Sequence, residues 1–256
     1  MIEARNLEFA YNSGAPVIRG VSMKLERGAM GALIGPNGCG KSTLIRLLAG
    51  LLAPSAGEIL VKGTPLGAID SRDRTRLIAY VPQSAGRSFP FTALEIVLTG
   101  RSPYLPRFAF EGRRDVEKAM EAMEAAGIAA LAGRPITELS AGERQLVSLA
   151  RALAQEAAML LLDEPAASLD LKHRAAIIRT LAELRERRGL TVLMVTHDLS
   201  LVAPEFEVVF GMRRGSLVAV GPAAETLREP VLAEVYEDAQ MRVRQVDGRT
   251  FIWSEA

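Results

Sequence analysis

The chain has 256 residues, 49% apolar and 24% charged, with 31 basic against 30 acidic side chains and a formal net charge of +1. That length is enough to bury a real core in one large domain or a domain with a subdomain, and the near-neutral balance argues against the basic stripe used to wrap nucleic acid. A single cysteine excludes an internal disulfide and fits a reducing cytosol, and no apolar run is long enough to span a bilayer. The first residues, Met1 to Asn6, carry no signal-peptide pattern.

Residues 3–11 alternate, placing Leu7, Phe9 and Tyr11 on one face of a predicted strand before Asn12-Ser13-Gly14 turns the chain. Tyr11 is either a core residue at the strand end or an exposed ring on which a base can stack. A second strand over Val17 to Leu25 leads through Arg27-Gly28 to a short apolar run, Met30 to Ile34. Next comes Gly35-Pro36-Asn37-Gly38-Cys39-Gly40-Lys41-Ser42-Thr43, running into the helical pattern of Leu44 to Gly50. Strand, glycine-rich loop and helix in that order, with Gly, four residues and Gly-Lys-Ser, make a phosphate-binding P-loop.

The residue types follow from what a polyphosphate needs. Glycines at 35, 38 and 40 let main-chain N–H groups turn inward, and the unpaired amides at the start of the next helix add the positive end of its dipole. Lys41 reaches the β- and γ-phosphates as a flexible point charge, and the Ser42 hydroxyl suits Mg²⁺. Cys39 is either an oxidisable thiol or simply a small residue tolerated in the loop.

Pro54-Ser55-Ala56-Gly57 breaks the chain, and Glu58 to Val61 with Lys62-Gly63-Thr64 reads as a short strand and turn. Ile78-Ala79-Tyr80-Val81 is a buried strand within Arg74 to Pro82. Gln83 follows it, either facing a ligand crevice or solvated in a loop. From 84 to 155 the pattern turns helical and carries Phe89, Phe91, Phe108, Phe110 and Tyr104. Val116, Ala119, Met120 and Met123 fall at helical spacing, with Gly127 as the stop. The aromatic cluster reads as the core of a small helical insertion or as a contact with a partner.

Leu139-Ser140-Ala141-Gly142-Glu143-Arg144-Gln145 opens a helix with Leu146, Leu149, Ala150 and Leu153 on its apolar face. Ser140 and Glu143 form a capping box that needs no ligand to explain it. Met159 to Leu162 is a buried strand ending in Asp163-Glu164. Downstream of a P-loop, that pair reads as a Mg²⁺-holding carboxylate (Asp163) and a proton acceptor for attacking water (Glu164). Ser168-Leu169-Asp170 precedes a helix with Ile177, Ile178, Leu181 and Leu184 in a stripe and Gly189 as its stop. A strand over Thr191 to Val195 ends in Thr196-His197-Asp198; His197 either senses a γ-phosphate or is merely packed, and His173 reads as a surface residue. Strands at Val208 to Met212 and Ser216 to Val220 follow, then a helix over about 223–236. A hairpin from Met241 to Trp253 turns at Asp247-Gly248.

This ordered set resembles the ATP-binding cassette (ABC) family over nearly the whole chain: the loop at 35–43, Gln83, Leu139 to Gln145, Leu160 to Pro165, Ser168-Leu169-Asp170 and His197. The resemblance implies an α/β P-loop NTPase (RecA-like) core over 1–85 and 156–256, with an antiparallel β-subdomain, and a helical subdomain over about 86–155. It implies that ATP and Mg²⁺ are bound. Tyr11 would stack on adenine, and Ser140, Ala141 and Gly142 would contact the γ-phosphate of ATP on a second copy. Gln83 would link Mg²⁺ and the attacking water to membrane subunits, His197 would be the switch histidine, and Asp170 would cross the dimer interface. The signature departs from the usual Ser-Gly-Gly-Gln by reading Ser-Ala-Gly-Glu, and Leu146 stands where arginine is common.

A narrower likeness at Thr92 to Arg101, with Pro103-Tyr104 and Phe108, is to importers of iron–siderophore, haem and vitamin B12 complexes. It implies an integral-membrane permease and a substrate-binding protein as partners, no nucleic acid, and a peripheral place on the cytoplasmic face of the plasma membrane. The alternatives are a soluble cassette working without a permease, the ATPase of an exporter, and a nucleotide binder without turnover.

Overall fold

A computed structural model describes residues 1–12, 14–84, 90–106, 110–167, 169–202, 205–246 and 249–255. Ser13, Phe89, Phe108, Ser168 and the Asp247-Gly248 turn, all named in the sequence reading, lie outside the described residues. The N-terminal strands β1 (Ile2–Phe9) and β2 (Ile18–Leu25) precede β3 (Met30–Ile34) and helix α1 (Lys41–Leu48). Then come β4 (Ala56–Val61), β5 (Thr64–Pro65), α2 (Ser71–Leu77) and β6 (Ile78–Val81). Helices α3 (Ala93–Leu98), α4 (Arg113–Ala125) and α5 (Ala141–Ala154) pack on one another before β7 (Met159–Asp163), α6 (Leu171–Arg188) and β8 (Thr191–Val195). The remainder is β9 (Val208–Arg213), β10 (Ser216–Gly221), α7 (Ala223–Thr226), α8 (Glu229–Tyr236) and the pair β11 (Met241–Val246) and β12 (Arg249–Ser254).

The main sheet has the order β10-β9-β3-β8-β7-β6, parallel throughout except at the β9–β10 edge. Its central strands β3, β7 and β8 are buried at every residue, as a parallel sheet covered on both faces requires. A second, antiparallel sheet, β2-β1-β4-β5, lies across α1. One core joins that sheet, α1 and one face of the main sheet; the other joins the opposite face to α5, α6 and the helical segment. Leu44, Ile45, Leu47 and Leu48 of α1 are fully buried, each stabilising by roughly 1.5–3 kcal/mol. Burying that face fixes the helix rotation and leaves Ser42 and Arg46, four residues apart, on the side toward β7.

The alternation expected for residues 3–11 breaks. A bulge at Asn6 (φ 48°) shifts the register between Ala4 and Leu7, so the inward set is Ile2, Ala4 and Leu7, and the strand stops at Phe9. The expected single helix over 223–236 is two, because Pro230 has no N–H to donate to the Thr226 carbonyl. Helix α2, capped by the Asp70 side chain, was not anticipated from the sequence. Phe110 is 93% and Phe91 51% exposed, so these two rings do not form the core of the helical segment. That core is Ala119, Ala122, Met123, Leu146, Val147 and their neighbours, while Val116 faces out.

Candidate active site

The P-loop leaves β3 through Gly35 at φ 145°, where a Cβ would sit 2.1 Å from the Met212 carbonyl oxygen. No other residue fits there. Gly40 caps α1 in the left-handed region (φ 109°) and, having no side chain, puts no cap of its own between the first amides and an anion. The Lys41 side chain is buried, and its Nζ donates to the Gly35 and Pro36 carbonyls at 2.8 and 2.9 Å. Cys39 is buried and its thiol is pushed up by burial, which makes it part of the packing rather than a reactive group. Tyr11 leaves 43% of its surface exposed, meets Phe9 edge-on at 4.8 Å and places its hydroxyl 3.3 Å from Thr43 Oγ1. The ring therefore stands beside the start of α1 and is not a core residue.

Asp163 is the last residue of β7 and Glu164 begins the turn after it, and the two acids have different partners. Met159, Leu161 and Asp163 face α1; Leu160 and Leu162 face the helical side. Asp163 accepts from Ser42 Oγ at 2.9 Å and from the Tyr80 hydroxyl at 3.2 Å, and it is fully buried. Burial raises its pKa; the Ser42 and Tyr80 hydrogen bonds and the Arg46 charge oppose that only in part. A buried carboxylate held mainly by neutral hydroxyls, next to a second oxygen ligand, fits a hard divalent cation. Among the described residues no group of three or more His, Cys, Asp or Glu gathers into a metal site, and Mg²⁺, which takes few protein ligands, does not need one.

Glu164 is housed differently. Its backbone is left-handed (φ 50°) and its N–H donates to the Val195 carbonyl, so the end of β8 holds the turn. Its Oε2 accepts from Gln83 Nε2 at 2.8 Å and lies 3.3 Å from His197 Nδ1. Gln83 thus stands at Glu164 and not against Ser42 and Asp163. The exposed His197 belongs to this group, whereas His173 binds locally to Asp170. Two adjacent carboxylates thus have separate partners, Ser42 and Tyr80 for Asp163, Gln83 and His197 for Glu164.

The remaining sequence candidates stand apart from this cluster within the chain. Ser140 caps α5: its Oγ accepts from Glu143 N at 3.2 Å while its own N–H donates to Glu143 Oε2 at 2.7 Å. Those bonds hold the Glu143 carboxyl below its usual range. Ala141 and Gly142 form the first turn of that helix, and Asp170 caps α6 by accepting from His173 N.

Two contributors escaped the sequence reading. Tyr80 is one, although its register opposite Leu161, two residues before Asp163, puts it on the Asp163 face. The other is Tyr236, half-buried with its hydroxyl inaccessible, its phenol pushed up to about 12 by burial. The Gly35 amide is near enough to pull slightly the other way but not to bond to that hydroxyl, which is without a hydrogen-bond partner among the described residues.

Residues 18–167, more than half the chain, match the ABC transporter family. The chain is 42% identical over 226 residues to the hemin import ATP-binding protein HmuV of Streptomyces coelicolor, covering 88% of this chain and 79% of that relative. It superposes with a TM-score of 0.85 and 29% identity on a metal-chelate type ABC transporter in an inward-facing conformation, covering 100% of this chain and 97% of that one. A dimeric ATP-binding cassette in a post-hydrolysis state, bound to ADP and phosphate, aligns at a TM-score of 0.79 and 28% identity over 87% of this chain and 99% of its own. With a P-loop facing a split pair of carboxylates on this fold, the chain belongs to the ABC transporter family, as an ATP-binding cassette ATPase.

Proposed function

We propose that this chain is the ATP-hydrolysing subunit of an importer, working as two copies set head to tail around two ATP molecules beneath an integral-membrane permease. Its division is a core over 1–85 and 156–256 carrying a helical subdomain over about 86–155. Tyr11 stacks on adenine. The amides of 35–43 and the Lys41 ammonium take the phosphates. Ser42 and Asp163 would hold Mg²⁺, and Gln83, which bonds Glu164 in this structure, would turn to the ion when nucleotide binds. The ion would supply neutralisation of the phosphate charge there.

Glu164 takes a proton from water as its oxygen attacks the γ-phosphorus and the bond to the ADP oxygen breaks. Before nucleotide binds, Gln83 and His197 hold that carboxylate at its Oε2; with nucleotide in place His197 reads the γ-phosphate. Ser140, Ala141 and Gly142 reach the partner's triphosphate, and Asp170 crosses the interface. The γ-phosphate then touches both copies, binding closes the pair, and hydrolysis reopens it.

The observation that carries the reading is the separation of roles at the end of β7: Asp163 bound to Ser42, Glu164 to Gln83 and His197. The relatives' names and the Thr92 to Tyr104 segment support import, and a haem, iron–siderophore or cobalamin complex as cargo delivered by a substrate-binding protein. Among the described residues no helix is long and apolar enough to cross a membrane, which suits a subunit that works from the cytoplasmic face through a permease. Replacing Glu164 by Gln keeps the shape and removes the base. Steady-state phosphate release should fall about 10²–10⁴-fold with ATP still bound, and unchanged turnover would take Glu164 out of the role.

A further inference from the structure

A cavity of about 460 Å³ opens at the end of the main sheet remote from the P-loop, between the helical segment and the core. That volume lies within the range of small-molecule sites. Its floor is apolar: Ala122 and Ala125 of α4, Leu153 of α5, Leu160 of β7, Leu184 of α6, and Leu190. Its rim is charged and unbalanced, with Lys62, Arg76, Lys118 and Arg188 against Glu121 and Glu156.

Both acids are already engaged. Glu121 takes Lys118 at 2.7 Å, and Glu156 takes Arg101 at 2.8 Å and Lys118 at 3.7 Å. Arg188 reaches Glu156 only at 3.8 Å, and the nearest acid to Arg76 is Asp73 at 3.6 Å. Lys62 has no ion pair or side-chain hydrogen bond among the described residues. Arg76 also donates to the Pro103 carbonyl at 3.2 Å and lies 5.4 Å over the Tyr104 ring, so among the described residues Lys62 is the rim cation left without a partner, above an apolar floor.

The walls have a second property. The C-terminal end of α5 lines the cavity, and its other end, about 21 Å away, is the Ser140 cap. Leu160 is three residues before Asp163 on β7. Leu184 and Arg188 close α6, whose first turn, about 27 Å away, is capped by Asp170. Three elements therefore have one end at the cavity and the other at a proposed nucleotide contact.

We propose that the cavity binds an organic anion with an apolar body and a single carboxylate or sulfonate, and that its occupancy changes the rate of ATP turnover. The second half rests on the hydrolysis reading above. A ligand bridging α4 to β7 and α6 fixes the helical segment against the core, and with it the position of Ser140.

The test uses the full chain, with anilinonaphthalene sulfonate as a fluorescent probe and dodecanoate, below its micelle concentration, as competitor. Dodecyltrimethylammonium is the charge-reversed control. Ala125 is exposed on α4, so Ala125→Trp fills the cavity without entering the core. Saturable binding of one probe per chain is expected, displaced by dodecanoate and not by the cation. Affinity should fall at least tenfold in Ala125→Trp and in the Lys62→Glu/Arg188→Glu double variant. Saturating dodecanoate should shift the ATPase rate at least twofold in the parent chain and leave the Ala125→Trp rate unmoved. Equal displacement by the cation, or affinity indifferent to both variants, overturns the site. Binding with no change in rate overturns the coupling. A chain that binds the probe normally but never hydrolyses ATP sinks the hydrolysis reading and the coupling with it, while the anion site stands.

Discussion

At the scale of single residues, the proposed chemistry turns on how differently two adjacent carboxylates are housed. Asp163 is buried and its pKa is raised. The native state therefore keeps its proton to a higher pH than the unfolded chain, whose carboxyl titrates near the ordinary 3.8. The contribution of this group is fully present below that value and is lost as pH rises through the raised native pKa. Asp163→Asn, which cannot ionise, should accordingly gain stability relative to the parent as pH climbs past 3.8, followed by urea unfolding at a series of pH values. Adding Mg²⁺ with nucleotide should reverse the order if Asp163 is the proposed ligand, because only the ionised parent could then hold the ion. The acids were legible in the sequence because a short apolar run ending in Asp-Glu needs no partner strand to be recognised. Tyr80 was not: its hydroxyl reaches Asp163 only because β6 pairs with β7 in a register that no local pattern announces.

At the scale of elements, α5 carries two duties at one end. Its capping box satisfies the helix start, and the same serine is proposed to meet a neighbouring triphosphate. The duties separate by substitution. Ser140→Ala should lower unfolding stability by about 1 kcal/mol, whereas Ser140→Asn, which still caps, should leave it nearly unchanged. Both should depress ATP turnover if the serine also works across the interface; chemical denaturation beside a phosphate-release assay tells the two effects apart. The helix itself was plain from spacing, as was the Gly189 stop of α6, which adopts the left-handed cap expected of glycine. Spacing failed where a long-range or single-atom condition intervened. The bulge in β1 depends on pairing with β2 and β4, the break before α8 on one missing N–H, and the outward turn of Phe91 and Phe110 on which small side chains fill the helical core.

At the scale of the whole molecule, the sheet order explains why the site assembles where it does. β8 lies between β3 and β7, so Leu33, Val195 and Asp163 come level across three strands and the P-loop opens beside the acids. Within one chain, Ser140 is occupied at its own helix start and Gln83 and His197 converge on Glu164, so the assembled site is half of what the proposed sandwich contains. Glu164→Gln with ATP and Mg²⁺ should therefore sediment at twice the chain mass, and ADP should return it to single chains. A parent chain that hydrolyses ATP at full rate as a strict monomer would contradict the arrangement. The order of motifs made the architecture readable, since each segment was local; which surfaces meet was not, because contact between copies leaves no periodicity in one chain.

The left-handed backbone of Glu164 carries an evolutionary corollary. An L-residue held there costs about 1–3 kcal/mol, which glycine would relieve. Folding and the turnover proposed for this acid thus pull the position in opposite directions. Copies of the gene freed from the need to hydrolyse nucleotide should lose their acid here early, and emerge as sturdier proteins that clasp ATP without consuming it.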